Sequence, residues 1–445
     1  MGRADRGRRG GRAPAPVIEV DIDNLSHEGR GVGRHEGKTV FVDGALPGER
    51  VSARVLKSRG RFDEAETVTV LAAADTRATP SCAHYGVCGG CSLQHASEDL
   101  QLAHKQSVLL ELLRHQGGLQ ARTVNPPLRS PQWGYRRKAR LGVKLVPKKG
   151  GVIVGFREKS SPYVTDCASC EVLDPRVGHA LPALRALVAA TSIPDRVPQI
   201  EVAIGDEDVV LVFRHLEPFT EADRAALASF ARDHDMVVLT QAGGLDTVMT
   251  LDGAPPPLLG YTVQGERIEF LPTDFTQVNA HINAGMVAGA LERLALTRED
   301  EVFDLFCGVG NFTLPIARRA GRVTGIEGDA GLTRRAAANA ARNGLDNVAF
   351  EALDLADPAA LARLDLARAS KLLLDPPRAG ALALLESVNL ARCERLVYVS
   401  CSPVTFARDA QVLVERHGFT LVETGILDMF PHTAHVESLS LFVRE

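Results

Sequence analysis

The C-terminal part of the chain alternates between short apolar runs and amphipathic segments, and this rhythm constrains the fold more than any other feature. From residue 271 onward, strand-like runs such as "EVFDLF" and "RVTGIE" are separated by helical patterns such as "DAGLTRRAAANAARNG". This alternation predicts an α/β domain whose doubly wound sheet binds its ligand beyond the carboxyl ends of the strands. The final two runs have no helix between them, so we expect the last strand to insert antiparallel into a seven-stranded, Rossmann-like sheet.

Three regions precede this domain. Residues 17–74 contain short β-rich runs with alternating polarity, which predict a small closed β-barrel of the oligonucleotide-binding (OB) type. Residues 75–270 alternate strands with a few helices, which predicts a central α+β domain with a largely antiparallel sheet. We expect its helix at about 97–118 to pack on the C-terminal domain, 271–445. Residues 1–16 lack any periodicity and predict a disordered basic tail.

The distribution of charge, more than its sum, indicates a partner. The net charge of the 445 residues is only −4, but residues 129–159 hold ten Lys or Arg against a single acid. Such a block predicts contacts with RNA phosphates, with Arg136, Arg137 and Lys138 as candidates. A solvated strand face is the structural alternative. No apolar run approaches the ~20 residues that span a bilayer. The N-terminus lacks a signal-peptide pattern. We therefore expect a cytoplasmic protein, and no motif implies a membrane or protein partner.

The turn "DLFCGVGNF" after the first C-terminal strand predicts a cofactor loop. Gly308 and Gly310 allow the backbone to approach a ligand closely, and Asp304 lies near the end of the strand. The dinucleotide pattern GxGxxG is not completed. The second strand ends in Glu327, where a carboxylate can accept both hydroxyls of a ribose. A nucleoside without pyrophosphate, S-adenosylmethionine, fits this combination; a dinucleotide is the alternative.

A cysteine and a carboxylate lie at strand ends of this domain, where the doubly wound sheet is expected to bind its ligand. "RLVYVSCSP" places Cys401 at the end of the fifth strand, and "LLLDPPRAG" places Asp375 at the end of the fourth. Carbon 5 of uracil is a weak nucleophile. Its methylation therefore needs a thiolate that adds to carbon 6 and a base that later removes the carbon 5 proton. Glu437, near the last turn, is the candidate base. A cysteine that only fills the core is the alternative.

Four blocks, "DLFCGVGNFTLP", "DPPRAG", "VSCSPVTFARD" and "DMFPHTAHVE", resemble signature segments of the RNA 5-methyluridine methyltransferases. "DFTQVN" at 274–279 is similar to a further block of that family. The resemblance implies that Cys401 is the nucleophile, that Glu437 is the general base and that Phe275 stacks on RNA bases. It also implies an S-adenosylmethionine site lined by Gln277, Phe306, Asn311, Glu327, Asp354 and Asp375.

Five of the eight cysteines form two groups, Cys82, Cys88 and Cys91 in one loop and Cys167 and Cys170 in another. In a reducing compartment this pattern indicates metal ligation rather than disulfides. Three ligands on one loop with a distant fourth favour a [4Fe–4S] cluster, with zinc as the alternative. The family's C-x-V-L block implies Cys170 as the fourth ligand, although Cys167 lies beside it.

The barrel resembles the TRAM module, and barrel and cluster together are typical of the family members that act on 23S rRNA. The resemblance therefore implies a 23S rRNA uridine as substrate; a second rRNA uridine or a tRNA is the alternative. A cytosine-5 RNA methyltransferase would carry a cysteine in the "DPPRAG" turn, which has none. A non-catalytic RNA-binding protein would not need Cys401 and Glu437.

Overall fold

The structure of the protein is a computed structural model in which residues 15–444 are described. The predicted basic tail, 1–16, lies outside these residues except for its last two. The chain divides into two compact units. The first comprises the chain up to Pro80 together with Ser92–Leu100, and the second comprises Ser81–Cys91 and the residues from Gln101 onward. Within 15–444, no helix is long and apolar enough to cross a membrane.

The first unit contains five strands: β1 (Val17–Leu25), β2 (Gly31–His35), β3 (Lys38–Asp43), β4 (Arg50–Ser58) and β5 (Phe62–Ala72). They form a closed barrel in the order β1-β2-β3-β5-β4, which confirms the predicted barrel. Alternate residues of "KTVFVD" point inward, so that Val40 and Val42 lie in the barrel core. A parallel pairing of β3 with β5 contributes to closure, and a closed barrel leaves no exposed sheet edge.

The second unit begins with helix α1 (Glu98–His115), which enters it at Gln101, and a two-residue strand, β6 (Thr123–Val124). A six-stranded sheet follows, in which only β10 and β11 pair in parallel. Its order is β12-β11-β10-β9-β7-β8, and β13 and β14 form a separate hairpin. The elements are β7 (Lys138–Val146), β8 (Gly151–Gly155), α2 (Pro175–Gly178), α3 (Leu181–Ala190), β9 (Gln199–Ile204), β10 (Val209–Arg214), α4 (Glu221–Asp233), β11 (Val237–Gln241), β12 (Val248–Thr250), β13 (Leu259–Val263) and β14 (Glu266–Phe270).

The C-terminal sheet has the predicted alternation of strands and helices. Its order is β17-β16-β15-β18-β19-β21-β20-β6. The elements are α5 (Ala280–Leu294), β15 (Glu301–Leu305), α6 (Thr313–Ala317), β16 (Arg322–Glu327), α7 (Ala330–Arg342), β17 (Val348–Ala352), α8 (Pro358–Leu361), β18 (Lys371–Leu374), α9 (Leu382–Ser387), β19 (Arg395–Ser400), α10 (Pro403–Glu415), β20 (Thr420–Leu427) and β21 (Glu437–Val443).

This sheet has eight strands rather than the seven expected. Seven come from residues 301–443, and β6 adds in parallel to the outer edge of β20 through the pairs Glu423–Thr123 and Thr424–Val124. An edge strand offers unpaired backbone groups that a short passing segment can satisfy. The expected antiparallel insertion of the last strand is confirmed, since β21 pairs antiparallel with both β19 and β20.

Helix α1 packs against the elements of the C-terminal sheet. Its apolar residues recur at helical spacing, which places them on one face of the helix. They share a core with residues of β15, β18 and α10 such as Leu305, Leu374 and Phe406. The residues of α1 in this core are Leu102, Val108, Leu109, Leu112 and Leu113.

The predicted boundary at residue 270 falls inside the second unit and stays a prediction.

Candidate active site

The turn after β15 is built from residues with left-handed backbone geometry. Phe306, Gly308 and Gly310 have φ angles of +66°, +56° and +95°. Gly310 is favoured over other residues because side chains rarely adopt its φ, and a Cβ there would also lie 2.3 Å from Cδ1 of Leu314, which would have to move. The N–H of Gly308 donates to Glu327 Oε2 at 3.1 Å. The glycine loop and the carboxylate at the end of β16 therefore meet, as their positions in the sequence predicted.

Asn311 is fixed by two residues that sequence reasoning missed. Its Oδ1 accepts hydrogen bonds from the hydroxyl of Tyr261 at 3.0 Å and from Nδ2 of Asn283 at 2.9 Å. Its own Nδ2 donates to Asn283 Oδ1 at 2.9 Å. Asn283 lies on α5 one turn after the cap residue Asn279, and a second buried amide at that spacing was the available signal.

Two acidic side chains lie at the ends of β15 and β18, Asp304 buried and Asp375 partly exposed. Asp304 is fully buried, and one oxygen accepts from Thr313 Oγ1 at 2.5 Å, while the other has no partner among residues 15–444. Burial raises the pKa of Asp304 to about 7, and burial raises the pKa of Asp375 to about 7. Gln277 Nε2 donates to Asp375 Oδ2 at 3.5 Å. A ligand that carries positive charge would be favoured here, because it would stabilise both carboxylates.

Two other predicted residues are more exposed. Asp354 follows β17, where its Oδ1 accepts from the N–H of Ala356 at 2.9 Å, and its Cα lies 4.0 Å from the place of a Cβ on Gly328. It therefore lies next to the turn that contains Glu327. The side chain of Phe275 is 71% exposed, which is unusual for a phenylalanine and leaves its ring available to a partner. Neither contact with a ligand is tested by this geometry, and both stay predictions.

The strand register explains how Cys401 and Glu437 come together. Strands β19 and β21 pair antiparallel, and their last pair is Ser400 with Ser438. The next step of that register sets Cys401 beside Glu437, at the end of the sheet where β18 delivers Asp375. Directly opposed residues have their Cβ atoms about 5 Å apart on the same face. Residues that are 36 positions apart in the sequence are thus neighbours.

Burial raises the pKa of both groups, and the charges around the pair modify this effect. Burial raises the pKa of Cys401 to about 11, the charges of Glu437 and Asp375 add to this, and Arg378 opposes it. Glu437 is 8% exposed, and burial, with Asp375, raises its pKa well above the ordinary value, against the opposing charges of Arg378 and Lys105. Before a ligand binds, burial therefore disfavours both the thiolate of Cys401 and the carboxylate of Glu437.

We expect alkylation of Cys401 by iodoacetamide to be slow near neutral pH and to rise about tenfold per pH unit up to about pH 11, because only the thiolate reacts. Arg378→Met should slow it further, since the loss of the guanidinium raises the pKa of the thiol. Mass spectrometry of the Cys401 peptide measures the rate at that site. A fast rate that does not change with pH would contradict the prediction.

The basic block has more internal partners than the sequence predicted. Arg137 pairs with Asp206 at 2.7 Å, and Arg136 Nε donates to the carbonyl of Lys138 at 3.1 Å. The ammonium of Lys138 donates to the carbonyls of Pro272, at 3.2 Å, and of Asp274. Burial lowers the pKa of Lys138. The ammonium of Lys138 therefore has internal acceptors that the local sequence does not reveal, and its contact with RNA stays a prediction.

We expect Lys138→Met to lower the free energy of unfolding by about 2 kcal/mol, since two carbonyls would lose their donor. Chemical denaturation measures this. Lys144→Met on the same strand is the matched control, because Lys144 is exposed, and it should have little effect. Equal stability of the two variants would contradict the internal role.

The two cysteine segments approach each other in the second unit. His84 Nε2 accepts from the N–H of Ala168 at 2.9 Å, which joins the loop of Cys82, Cys88 and Cys91 to the turn between Cys167 and Cys170. A hydrogen bond from the Cys167 thiol lowers the pKa of Cys88 to about 7.

Cys170 also lies in this group. Burial raises its pKa to about 11, and the neighbouring Cys88 and Cys82 raise it further. Burial also raises the pKa of the Tyr135 hydroxyl, and Cys91 and Cys170 add to that effect. In the described part of the chain, however, no three Cys, His, Asp or Glu side chains stand at the spacing of a metal site. The donor set suits a thiolate-bound metal, and the ligand set stays a prediction.

Comparisons with known proteins match both parts of the chain. The profile of the family described as tRNA (Uracil-5-)-methyltransferase matches residues 261–445, and that of the TRAM domain matches residues 16–68. The chain is 53% identical over 441 residues to 23S rRNA (uracil(1939)-C(5))-methyltransferase RlmD of Alkalilimnicola ehrlichii, with 99% of each chain covered. The chain belongs to the uracil-5 RNA methyltransferase family.

Other members of this family are similar along nearly the whole length. RlmD of Nitrosococcus oceani is 51% identical, with 95% of each chain covered. A solved structure of the Pyrococcus abyssi tRNA (uracil-54, C5)-methyltransferase in complex with S-adenosyl-L-homocysteine superposes with a TM-score of 0.72 at 23% identity, covering 96% of this chain and 100% of that one. At this identity the superposition supports the fold, which is that of a methyltransferase of this family.

Proposed function

We propose that the protein transfers a methyl group from S-adenosylmethionine to carbon 5 of a uridine in 23S rRNA, the activity for which its RlmD relatives are named. One observation carries the chemistry: the β19–β21 register sets Cys401 beside Glu437 at the sheet end where Asp375 and the glycine loop lie. A nucleophile and a carboxyl group that face one site are the two groups that carbon 5 methylation requires.

In the proposed reaction the thiolate of Cys401 adds to carbon 6 of uracil, and the electron pair of the 5,6 double bond moves onto the ring as an enolate. Carbon 5 then takes the methyl group from the sulfonium, which becomes a neutral thioether. Glu437 accepts the carbon 5 proton, the double bond re-forms, and the bond between carbon 6 and sulfur breaks. The raised pKa of Glu437 suits a group that must hold this proton.

The methyl donor would lie across the ends of β15, β16 and β18. Glu327, which accepts a hydrogen bond from the N–H of Gly308, would accept further hydrogen bonds from the ribose hydroxyls. Asp304 and Asp375 would face its positive charges, and Asp354 its adenine. Gln277, Phe306, Asn311 and Gly310 would complete the walls. Binding of a cation beside these two carboxyls, whose pKa values are raised, would favour their ionised forms, which couples cofactor binding to proton release.

RNA would bind through several surfaces of the protein. A base in folded RNA must leave its stack to reach Cys401, at a cost of a few kcal/mol. The exposed ring of Phe275 offers a stacking surface that offsets this cost, and Arg136 and Arg137 offer positive charge for phosphates. TRAM residues 16–68 would add further RNA contacts.

We also propose that Cys82, Cys88, Cys91 and Cys170 hold a [4Fe–4S] cluster. The approach of the two cysteine segments through His84 and Ala168 supports this, since a fourth thiolate must come from outside the first loop. The cluster would supply no step of the methylation; it would tie two segments of the central region together.

We expect protein purified without oxygen to contain about four iron atoms per chain. Cys170→Ala should lose the iron and its visible absorbance, whereas Cys167→Ala should keep both, because the C-x-V-L block implies Cys170 as the fourth ligand. Cys393→Ala, a buried cysteine elsewhere, is the matched control. Iron lost with Cys167→Ala and kept with Cys170→Ala would make Cys167 the fourth ligand.

A covalent trap tests the proposed function. The protein and S-adenosylmethionine are incubated with 5-fluorouridine-substituted fragments of 23S rRNA and with substituted tRNA, and the products are run on denaturing gels. A base can remove a proton from carbon 5 but cannot remove fluorine from it, so the thioether to carbon 6 should persist. A shifted band with one rRNA fragment supports the proposal. A band with tRNA alone would overturn the substrate, and no band with either would overturn the chemistry.

A further inference from the structure

A lysine is buried on helix α1 beside the loop that leads to the proposed base. The side chains of Lys105 and Asp428 are 0% and 3% exposed, and the ammonium lies 2.6 Å from Asp428 Oδ1. The same ammonium donates to the carbonyl of Phe430 at 2.9 Å. A buried lysine is costly unless paired, so its place on a helix face that buries mainly apolar residues calls for a reason.

Lys105 is one of several contacts that fix the connection between β20 and β21, residues 428–436. Oε1 of Gln101, one helical turn before Lys105, accepts from the N–H of His432 at 2.8 Å. His432 has a φ of +65°, a conformation that non-glycine residues adopt only when their surroundings hold them. Tyr135 donates to the carbonyl of Pro431 at 3.1 Å, and Trp133 stacks on His432 at 4.0 Å.

The connection ends at Glu437, whose charge state depends on its neighbours. Burial, and then Asp375 at the end of β18, disfavour the carboxylate and raise its pKa, whereas Arg378 and, from α1, Lys105 favour it. Cys401 at the end of β19 is the other titratable group that faces it. Burial disfavours positive charge on the histidines of the connection, because it lowers the pKa of His432 to about 4 and lowers that of His435.

We propose that Lys105 is a positioning residue for the removal of the carbon 5 proton. Its ammonium holds the connection 428–436 in place, and with it Glu437, and supplies a positive charge that keeps the carboxylate available as a base. The inference rests on the proposed function. The inference extends that function because it assigns a role to a residue of the central region that lies more than 300 positions before the base in the sequence.

The experiment follows the last step of the reaction in the full chain with a natural rRNA fragment. Release of tritium from 5-³H-uridine reports proton removal, and a denaturing gel with methyl-labelled cofactor reports the methylated covalent adduct. We expect Lys105→Met to slow tritium release at least about tenfold near neutral pH and to make the adduct persist. The rate should recover as the pH rises, because loss of the cation raises the pKa of Glu437 and a higher pH is then needed to ionise it.

Two further variants separate this role from a structural one. Lys371 forms a buried pair with Asp300 at 2.7 Å at the other end of β18 from Asp375, so Lys371→Met is a matched loss of a buried ion pair and should change neither adduct nor pH profile. The double variant Lys105→Met with Asp428→Asn removes both charges of the pair. It should regain the thermal stability that Lys105→Met alone loses, but its tritium release should stay slow. Wild-type release and pH profile in this double variant would overturn the proposal. A wild-type protein that releases no tritium would instead overturn the proposed function.

Discussion

Replacing Cys401 by alanine is expected to lower methylation of the RNA by more than about 10⁴-fold, because no other group at the site can add to carbon 6. Binding of S-adenosylmethionine should be unchanged, since the residues proposed to hold it lie at the ends of β15, β16 and β18. Transfer of labelled methyl groups and calorimetric titration with the cofactor measure the two quantities.

The matched control for this substitution is Cys393→Ala. Cys393 is fully buried in the core that α1 shares with the C-terminal sheet, so its loss tests the effect of removing a thiol on packing alone. The control should keep most of its activity at a somewhat lower stability. Substantial methylation by Cys401→Ala would mean that Cys401 is not the nucleophile and only fills the core.

The parts of the fold that sequence predicted are those set by local periodicity. Strand–helix alternation after residue 271 predicted the doubly wound sheet, and the period-2 runs of residues 17–74 predicted the barrel. The absence of a helix before "SLSLFVRE" predicted the antiparallel last strand. The eighth strand could not be predicted, because two residues carry no period and the pairing of β6 with β20 depends on the finished sheet.

The candidate site was predictable where a motif fixed a residue at a strand end, as for Cys401, Asp375 and Glu327. It was not predictable where a side chain acts through a distant partner. Lys138 is an example, since its carbonyl acceptors lie some 135 residues further on. Lys105 did leave a signal: it lies three residues after Leu102 and four before Leu109, within the apolar face of α1. A charged residue at such a position indicates a buried partner.

The second large effect is expected for the substitution Glu437→Gln, whose partner Cys401 is also distant in the sequence. Glutamine has nearly the shape of glutamate but cannot accept the carbon 5 proton. We expect turnover to fall by about 10³-fold while the first two bonds still form. Methylated RNA should then remain attached to Cys401, in an amount close to that of the enzyme. A denaturing gel with methyl-labelled cofactor and unmodified uridine in the RNA measures it.

The arrested adduct distinguishes a base from a residue that only shapes the pocket. A distorted pocket would slow the attack of Cys401 and yield little adduct, whereas loss of the base alone blocks the last step and yields much. Glu423→Gln on the neighbouring strand β20 is the control, because Glu423 pairs with Arg293 at 3.0 Å and does not face Cys401 in the strand register. Low turnover without adduct in Glu437→Gln would mean that Glu437 only shapes the pocket and that another group accepts the carbon 5 proton. Asp375 is the next candidate, since its raised pKa of about 7 also suits a proton acceptor at this end of the sheet.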